Sequence, residues 1–142
     1  DPVTLSFTEL CTIPAESCHA WSSFCTTPQG FAVTGGKSSD ICHVYETAGK
    51  SWKKLQKLPV QRESHASIFA KGVIFVFGGL VAADFSSSVQ YCDIQNGTPW
   101  QDGPSLPETV LRPEVSCIDD DIYLLNLFKS RQLLRLGTDR NF

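Results

Sequence analysis

The 142-residue sequence predicts an all-β protein made of a repeated unit, and three observations predict it. Short apolar runs end in glycine pairs, as in Gly30-Phe31-Ala32-Val33-Thr34-Gly35-Gly36 and Val73-Ile74-Phe75-Val76-Phe77-Gly78-Gly79. The two pairs lie 43 residues apart, and each is followed in the same order by a Tyr (Tyr45, Tyr91), a Trp (Trp52, Trp100) and a Leu-Pro (Leu58-Pro59, Leu106-Pro107). No long window carries an apolar period of about 3.6 residues, so helices are not expected.

The best-written unit holds four β-type segments: Ser64 to Phe69, Val73 to Phe77, Ser87 to Ile94, and a short one around Trp100. Gly, Asn, Asp, Ser and Pro separate them, as hairpin connections require. Four antiparallel strands in each repeat of this length make a propeller blade. A third copy runs through Ile122-Tyr123-Leu124-Leu125-Asn126-Leu127, with Asp119-Asp120-Asp121 where Lys71-Gly72-Val73 makes the preceding turn. Both glycines are lost there, so the next turn should be longer or differently bent. Leu134 to Phe142 lines up with Val44 to Trp52, which puts Phe142 in the register of Trp52.

At the amino end, Ser6 to Pro14 mirrors Ser51 to Pro59, making Leu5 to Leu10 an outermost strand. The aromatic anchors Phe7, Trp52, Trp100 and Phe142 are then separated by 45, 48 and 42 residues. The expected organisation is one partial propeller over residues 1–142, with units at about 7–51, 52–99 and 100–142. About three blades of four strands do not close a ring, since propellers have at least about four. Closure calls for the remainder of a propeller or for a homodimer in head-to-tail contact, because open blade faces leave apolar patches and unpaired edges.

Composition bounds the function. The apolar fraction is 42%, the charged fraction 19% and the net charge -3 with signs interspersed, so nothing points to nucleic acid or an anionic membrane surface. The apolar runs are too short to span a bilayer, and no secretory segment opens the chain. The chain begins at Asp1 and contains no methionine, so it reads as a piece of a longer polypeptide. Six cysteines permit three disulfides. They form no C-x-x-C pair and Cys42 sits in the apolar Ile-Cys-His-Val-Tyr, which favours buried thiols and a cytoplasmic setting. Asn96-Gly97-Thr98 fits a glycosylation acceptor, weakened by Pro99.

The glycine doublet, the spaced Tyr and Trp, and Leu58-Pro59-Val60-Gln61-Arg62-Glu63-Ser64-His65 together resemble the kelch repeat, over essentially the whole chain. Within that group the pattern looks most like the BTB-kelch proteins, although no BTB portion is present in this chain. The resemblance implies a protein-interaction module, the substrate-recognition part of an adaptor for a cullin-3 ubiquitin ligase. A cytoskeletal, actin-binding role is the alternative, followed by a propeller enzyme of the sugar- or alcohol-converting type.

Each motif residue also has a structural role to fill. The doublets allow backbone angles closed to other residues and close approach of blades. Trp52 and Trp100 suit the wedge between blades. Arg62 and His65 suit hydrogen bonds to loop backbone. His19 and His65 fall at nearly equivalent places.

Other chemistry is weakly signalled. Gly78-Gly79-Leu80 lacks the G-x-G-x-x-G and Walker patterns of phosphate loops. Cys11, Cys18 and Cys25 recur every seven residues, a spacing that does not bring side chains to one strand face, and no metal site or cofactor is expected. No pattern singles out a nucleophile and base, so no enzyme activity is expected. Recognition then falls to loops on a rigid scaffold. One rim is built from the loops after the doublets (Lys37 to Asp40, Leu80 to Ser88, Phe128 to Ser130) and those after Leu-Pro (Ala15 to Ser17, Val60 to Arg62, Glu108 to Arg112). The candidate contacts for a protein or peptide ligand are Lys37, Gln61, Arg62, Asp84, Phe85, Arg112 and Lys129, with Arg62, Arg112 and Phe85 as anchors.

Overall fold

A computed structural model describes residues 4–137. In it the first blade is β1 (Ser23–Thr27), β2 (Gly30–Thr34), β3 (Cys42–Glu46) and β4 (Ser51–Lys54), antiparallel and in that order. A two-residue strand, β5 (Arg62–Glu63), precedes the second blade. That blade is formed by β6 (Ala66–Ala70), β7 (Val73–Phe77), β10 (Val89–Asp93) and β11 (Gln101–Asp102). Between β7 and β10 the hairpin β8 (Leu80–Val81) and β9 (Asp84–Phe85) joins β5 in a small separate sheet, ordered β5-β8-β9. The third blade supplies β12 (Glu114–Ile118), β13 (Asp121–Asn126) and β14 (Gln132–Leu136). The segment expected to end at Phe142 lies outside the described residues. Apart from a 3-10 turn at Ala15–Ser17 there is no helix among the described residues, and none long and apolar enough to cross a membrane.

The blades stack face to face through two apolar layers. Cys25, Ala32 and Cys42 of the first blade meet Ile74, Val76, Cys92 and Trp100 of the second. On the other side of β7, Phe75 and Phe77 meet Val110, Ile122 and Leu124. Successive side chains of a strand point to opposite faces, so a strand buried on both must be apolar throughout. That is the reason for the unbroken Val-Ile-Phe-Val-Phe of β7. Each large side chain so buried stabilises by about 1.5–3 kcal/mol.

Near the axis the chain enters each innermost strand through a residue with positive φ: Trp21 (61°), Ser64 (53°) and Arg112 (48°). The Ser64 N–H donates to the Trp21 carbonyl at 2.9 Å and the Arg112 N–H to the Ser64 carbonyl at 2.8 Å, tying the three blades together. These bonds set the true equivalence of the repeats. His65 corresponds to Ser22, not to His19.

The structure corrects two further expectations, for Leu5 to Leu10 and for Trp52, and sharpens two readings of the repeat. Leu5 to Leu10 forms no strand; Leu5, Phe7 and Leu10 are exposed, because no sheet edge lies beside them to supply a ladder. Tyr45 pairs with Phe31 on the face of the first blade turned away from the second, whereas Tyr91 pairs with Phe75 on the face turned toward the third. The two tyrosines are one residue out of register, and a one-residue shift exchanges faces. Trp100 fills the wedge between blades, donating its indole N–H to the Gln56 carbonyl at 2.8 Å. Trp52 packs instead on Tyr45 at 5.2 Å on the outward face, with its buried Nε1 unpartnered. Finally, the β13–β14 connection has five residues, against seven and eleven in the first two blades: it is differently bent but shorter, not longer. Buried Asn126 turns it by accepting the Phe128 N–H on its side chain at 3.2 Å.

Candidate functional site

The rim is assembled by the glycine doublets. The first glycine of each pair closes its own blade, Gly35 N–H to Ile41 and Gly78 N–H to Ser88. The second reaches the Leu-Pro loop of the next repeat, Gly36 N–H to the Arg62 carbonyl and Gly79 N–H to the Val110 carbonyl, both at 2.8 Å. At Gly79 φ is 84°, and an added Cβ would collide with the Glu63 carbonyl, so only glycine fits. The loops after the doublets and after Leu-Pro are thereby held side by side.

Lys37 and Gln61 meet across an open cleft of about 470 Å³, its mouth included, with Leu80, Ala82 and Ala83 on the far wall. The Lys37 ammonium stands 5.4 Å over the exposed Trp21 ring. Asp84 and Phe85 lie on β9, both exposed. The Phe85 ring packs at a tilt against Phe128, centroids 5.2 Å apart, and Lys129 sits 5.6 Å over it while donating to the Thr109 hydroxyl at 3.0 Å. Arg112 is exposed in a separate open cleft of about 550 Å³, its mouth included, near the axis, shared with Trp21 and His65. The predicted residues thus fall into a Lys37–Gln61 cleft, a Phe85–Lys129 patch with Asp84 adjoining, and Arg112 apart.

Arg62 is a correction. Its side chain is 1% exposed and lies inside, not on the rim. The guanidinium donates to the Gly78 carbonyl at 2.7 Å, the Ser88 hydroxyl at 2.8 Å and the Gln90 side-chain oxygen at 3.1 Å. Burial lowers its pKa to about 10 while Asp102 holds it up. It occupies the place held by buried Ser17 and buried Val110 in the neighbouring repeats, and clamps the turn after the glycine doublet. His65 is a second internal strut: its Nε2 bonds the Thr34 hydroxyl at 2.8 Å rather than backbone, and burial, then Arg62, depresses its pKa to about 3.

Trp21 and Phe128 were not singled out by sequence. Trp21 falls outside the Tyr–Trp ladder and Phe128 inside the degraded third unit. For Phe128 the signal was an aromatic side chain within a predicted rim loop; Trp21 lay outside every predicted loop.

Ser17, His43 and Glu16 form a hydroxyl–imidazole–carboxylate set: the Ser17 hydroxyl bonds His43 Nδ1, and His43 Nε2 lies 3.3 Å from Glu16. Ser17 is 3% exposed, so its hydroxyl is closed to a substrate in this conformation. Lys54 donates to Glu16 at 3.0 Å and holds that carboxyl below its ordinary pKa. The thiols of Cys25, Cys42 and Cys92 are buried between blades and pushed up by that burial to about 11, 12 and 11. No group of three His, Cys, Asp or Glu suited to a metal occurs among the described residues.

No protein-family model matches the chain. It is 31% identical over 99 residues to human Kelch-like protein 38, a stretch covering 67% of this chain and 17% of that protein. The solved structure of YjhT, a kelch-type propeller, matches with a TM-score of 0.67 at 16% identity, over 75% of this chain and 34% of that one. The chain therefore spans well under half the length of both. With the stacked four-stranded blades, these likenesses establish a partial kelch-type propeller.

Proposed function

We propose that this kelch-type scaffold is a protein-interaction module that performs no chemistry of its own and docks an extended peptide or loop on its rim. The observation that carries the reading is the division of labour among its polar side chains. Arg62 and His65 are consumed inside the scaffold, whereas Lys37, Gln61, Phe85, Arg112 and Lys129 stand exposed on adjoining loops. Exposed aromatics paired with cations make good contact anchors. The finer reading is substrate recognition for a cullin-3 ubiquitin ligase in the cytoplasm, and it rests on the resemblance of the repeat motif to BTB-kelch proteins; the likeness to Kelch-like protein 38 supports the kelch-type interaction module.

A test of the module reading compares the chain with a Lys37→Glu/Phe85→Ala/Lys129→Glu variant as bait for proximity labelling in cells. A set of proteins labelled by the former and lost with the latter is expected; identical sets would contradict the reading. The adaptor reading predicts that a full-length protein carrying this chain co-purifies with cullin-3, and that deleting this chain abolishes partner turnover but not cullin-3 association.

A further inference from the structure

The β8–β9 hairpin leaves one main-chain edge open on the rim. Leu80 pairs with Phe85 and Val81 with Asp84, and the Ser86 N–H donates to the Gly79 carbonyl at 2.9 Å. Bonded and non-bonded pairs alternate along an antiparallel ladder. The bonds therefore belong to Gly79–Ser86 and Val81–Asp84, and the N–H and C=O of Phe85 point away from β8. β9 is the last strand of its sheet, and neither group is hydrogen-bonded among the described residues. An exposed edge of this kind is a template for a further strand.

The side chains at that edge specify what it would take. Phe85 is 47% exposed, and its neighbours Phe128 and Leu127 are 46% and 64% exposed. Phe85 and Phe128 form an apolar seat, with Leu127 next to Phe128 in the chain. Lys129 stands over the seat, held by Thr109 and in no ion pair among the described residues. Lys37 and Arg112 add exposed positive charge in the two clefts of the rim, and the exposed carboxylate of Asp84, next to Phe85 on β9, alternates to the opposite face of that strand.

We propose that the Phe85 edge binds an extended, acidic segment of a protein partner by strand addition, as a fourth strand beside β9. This rests on the protein-recognition reading and names the ligand for it. The partner residue opposite Phe85 exchanges both main-chain hydrogen bonds with it. Directly opposed residues share a face, so that residue is apolar and packs on the Phe85 and Phe128 rings. Residues two apart share a face also, so an Asp or Glu two positions away meets Lys129. Main-chain bonds supply affinity in this mode and the alternate side chains supply specificity.

The test pans the chain against a phage-displayed library of random dodecapeptides and measures an enriched peptide by calorimetry. Versions of the peptide N-methylated at one residue at a time follow. Expected is an apolar-x-acidic pattern, with one N-methyl position and the Phe85→Ala and Lys129→Glu variants each weakening binding about tenfold or more. A Lys at the peptide's acidic position should restore binding to Lys129→Glu. Peptides that bind but tolerate every N-methyl group, or are insensitive to Phe85→Ala, overturn strand addition and leave the module reading intact. A library that yields no binder sinks both. Phe85 is exposed, so an unchanged thermal midpoint separates lost contact from lost fold, and N-methylation leaves the protein untouched.

Discussion

Replacing Arg62 by Met separates a scaffold role from a contact role. Methionine retains much of the aliphatic stem, so little cavity is left and the guanidinium's bonds are what is removed. Of its three short acceptors, only Ser88 keeps another partner, the Ser86 hydroxyl at 2.7 Å; the Gln90 amide N–H still reaches Asp102 at 3.1 Å, but the Gln90 oxygen that accepted from Arg62 does not gain from that bond. The Gly78 carbonyl and the Gln90 oxygen each lose their guanidinium partner in a buried place, at about 1–3 kcal/mol apiece. Relief of the charge's own desolvation, visible in a pKa lowered to about 10, works against this. The expected net destabilisation is about 2–4 kcal/mol, or a fall in melting temperature of several degrees for a chain of this size. Urea unfolding followed by tryptophan fluorescence measures it, with an unchanged m-value. A loss below about 0.5 kcal/mol, the range of ordinary surface changes, would refute the reasoning and return Arg62 to the surface.

Three further outcomes follow from the same structure. Trp100→Phe should cost about 1–2 kcal/mol through the lost bond to Gln56, whereas Trp52→Phe, which removes an unpartnered buried donor, should cost nothing or stabilise; equal losses in urea unfolding would contradict the pairing. Ala82 and Ala83 occupy the β8–β9 turn at φ of 51° and 67°, where a side chain costs about 1–2 kcal/mol, so Ala83→Gly should raise the unfolding free energy measured in urea by about 1 kcal/mol. His65 is protonated near 6.5 when unfolded but only near 3 when folded, so the unfolded chain holds the extra proton between those values and stability falls as pH drops below 6.5. That contribution reaches about 3 kcal/mol at about pH 4.5. The drop in unfolding free energy between neutral and acid pH, measured by urea unfolding, should shrink by about that much in His65→Gln.

The architecture was legible because each blade restates it. The spacing of the glycines marks turns, Trp100 though not Trp52 marks a wedge, and the apolar run of β7 records burial on both faces. The segments read around Ser64, Val73, Ser87 and Trp100 fall on β6, β7, β10 and β11. Facing was harder to read, since strand parity depends on loop lengths that differ between repeats; this is why Tyr45 and Tyr91 matched in order but not in direction. Arg62 misled for a related reason. A charged residue after Leu-Pro reads as solvated loop, and only the structure shows that its stem threads between repeats to reach Gly78. The β8–β9 hairpin escaped notice because Leu-Val-Ala-Ala-Asp-Phe carries neither a glycine turn nor alternation, and its turn is strained rather than favoured. The rim loops were legible as places; which side chains converge there was set by the third dimension.

The central claim is that the rim recognises protein while the blades only carry it. Hydrogen–deuterium exchange of the chain with and without an enriched peptide tests it most directly. The account predicts slowed exchange in residues 79–86, 109–112 and 127–130, with the middle strands β2, β7 and β13 unchanged. Slowed exchange confined to the outward face of the first blade, around Phe24, Phe31 and Trp52, would contradict it.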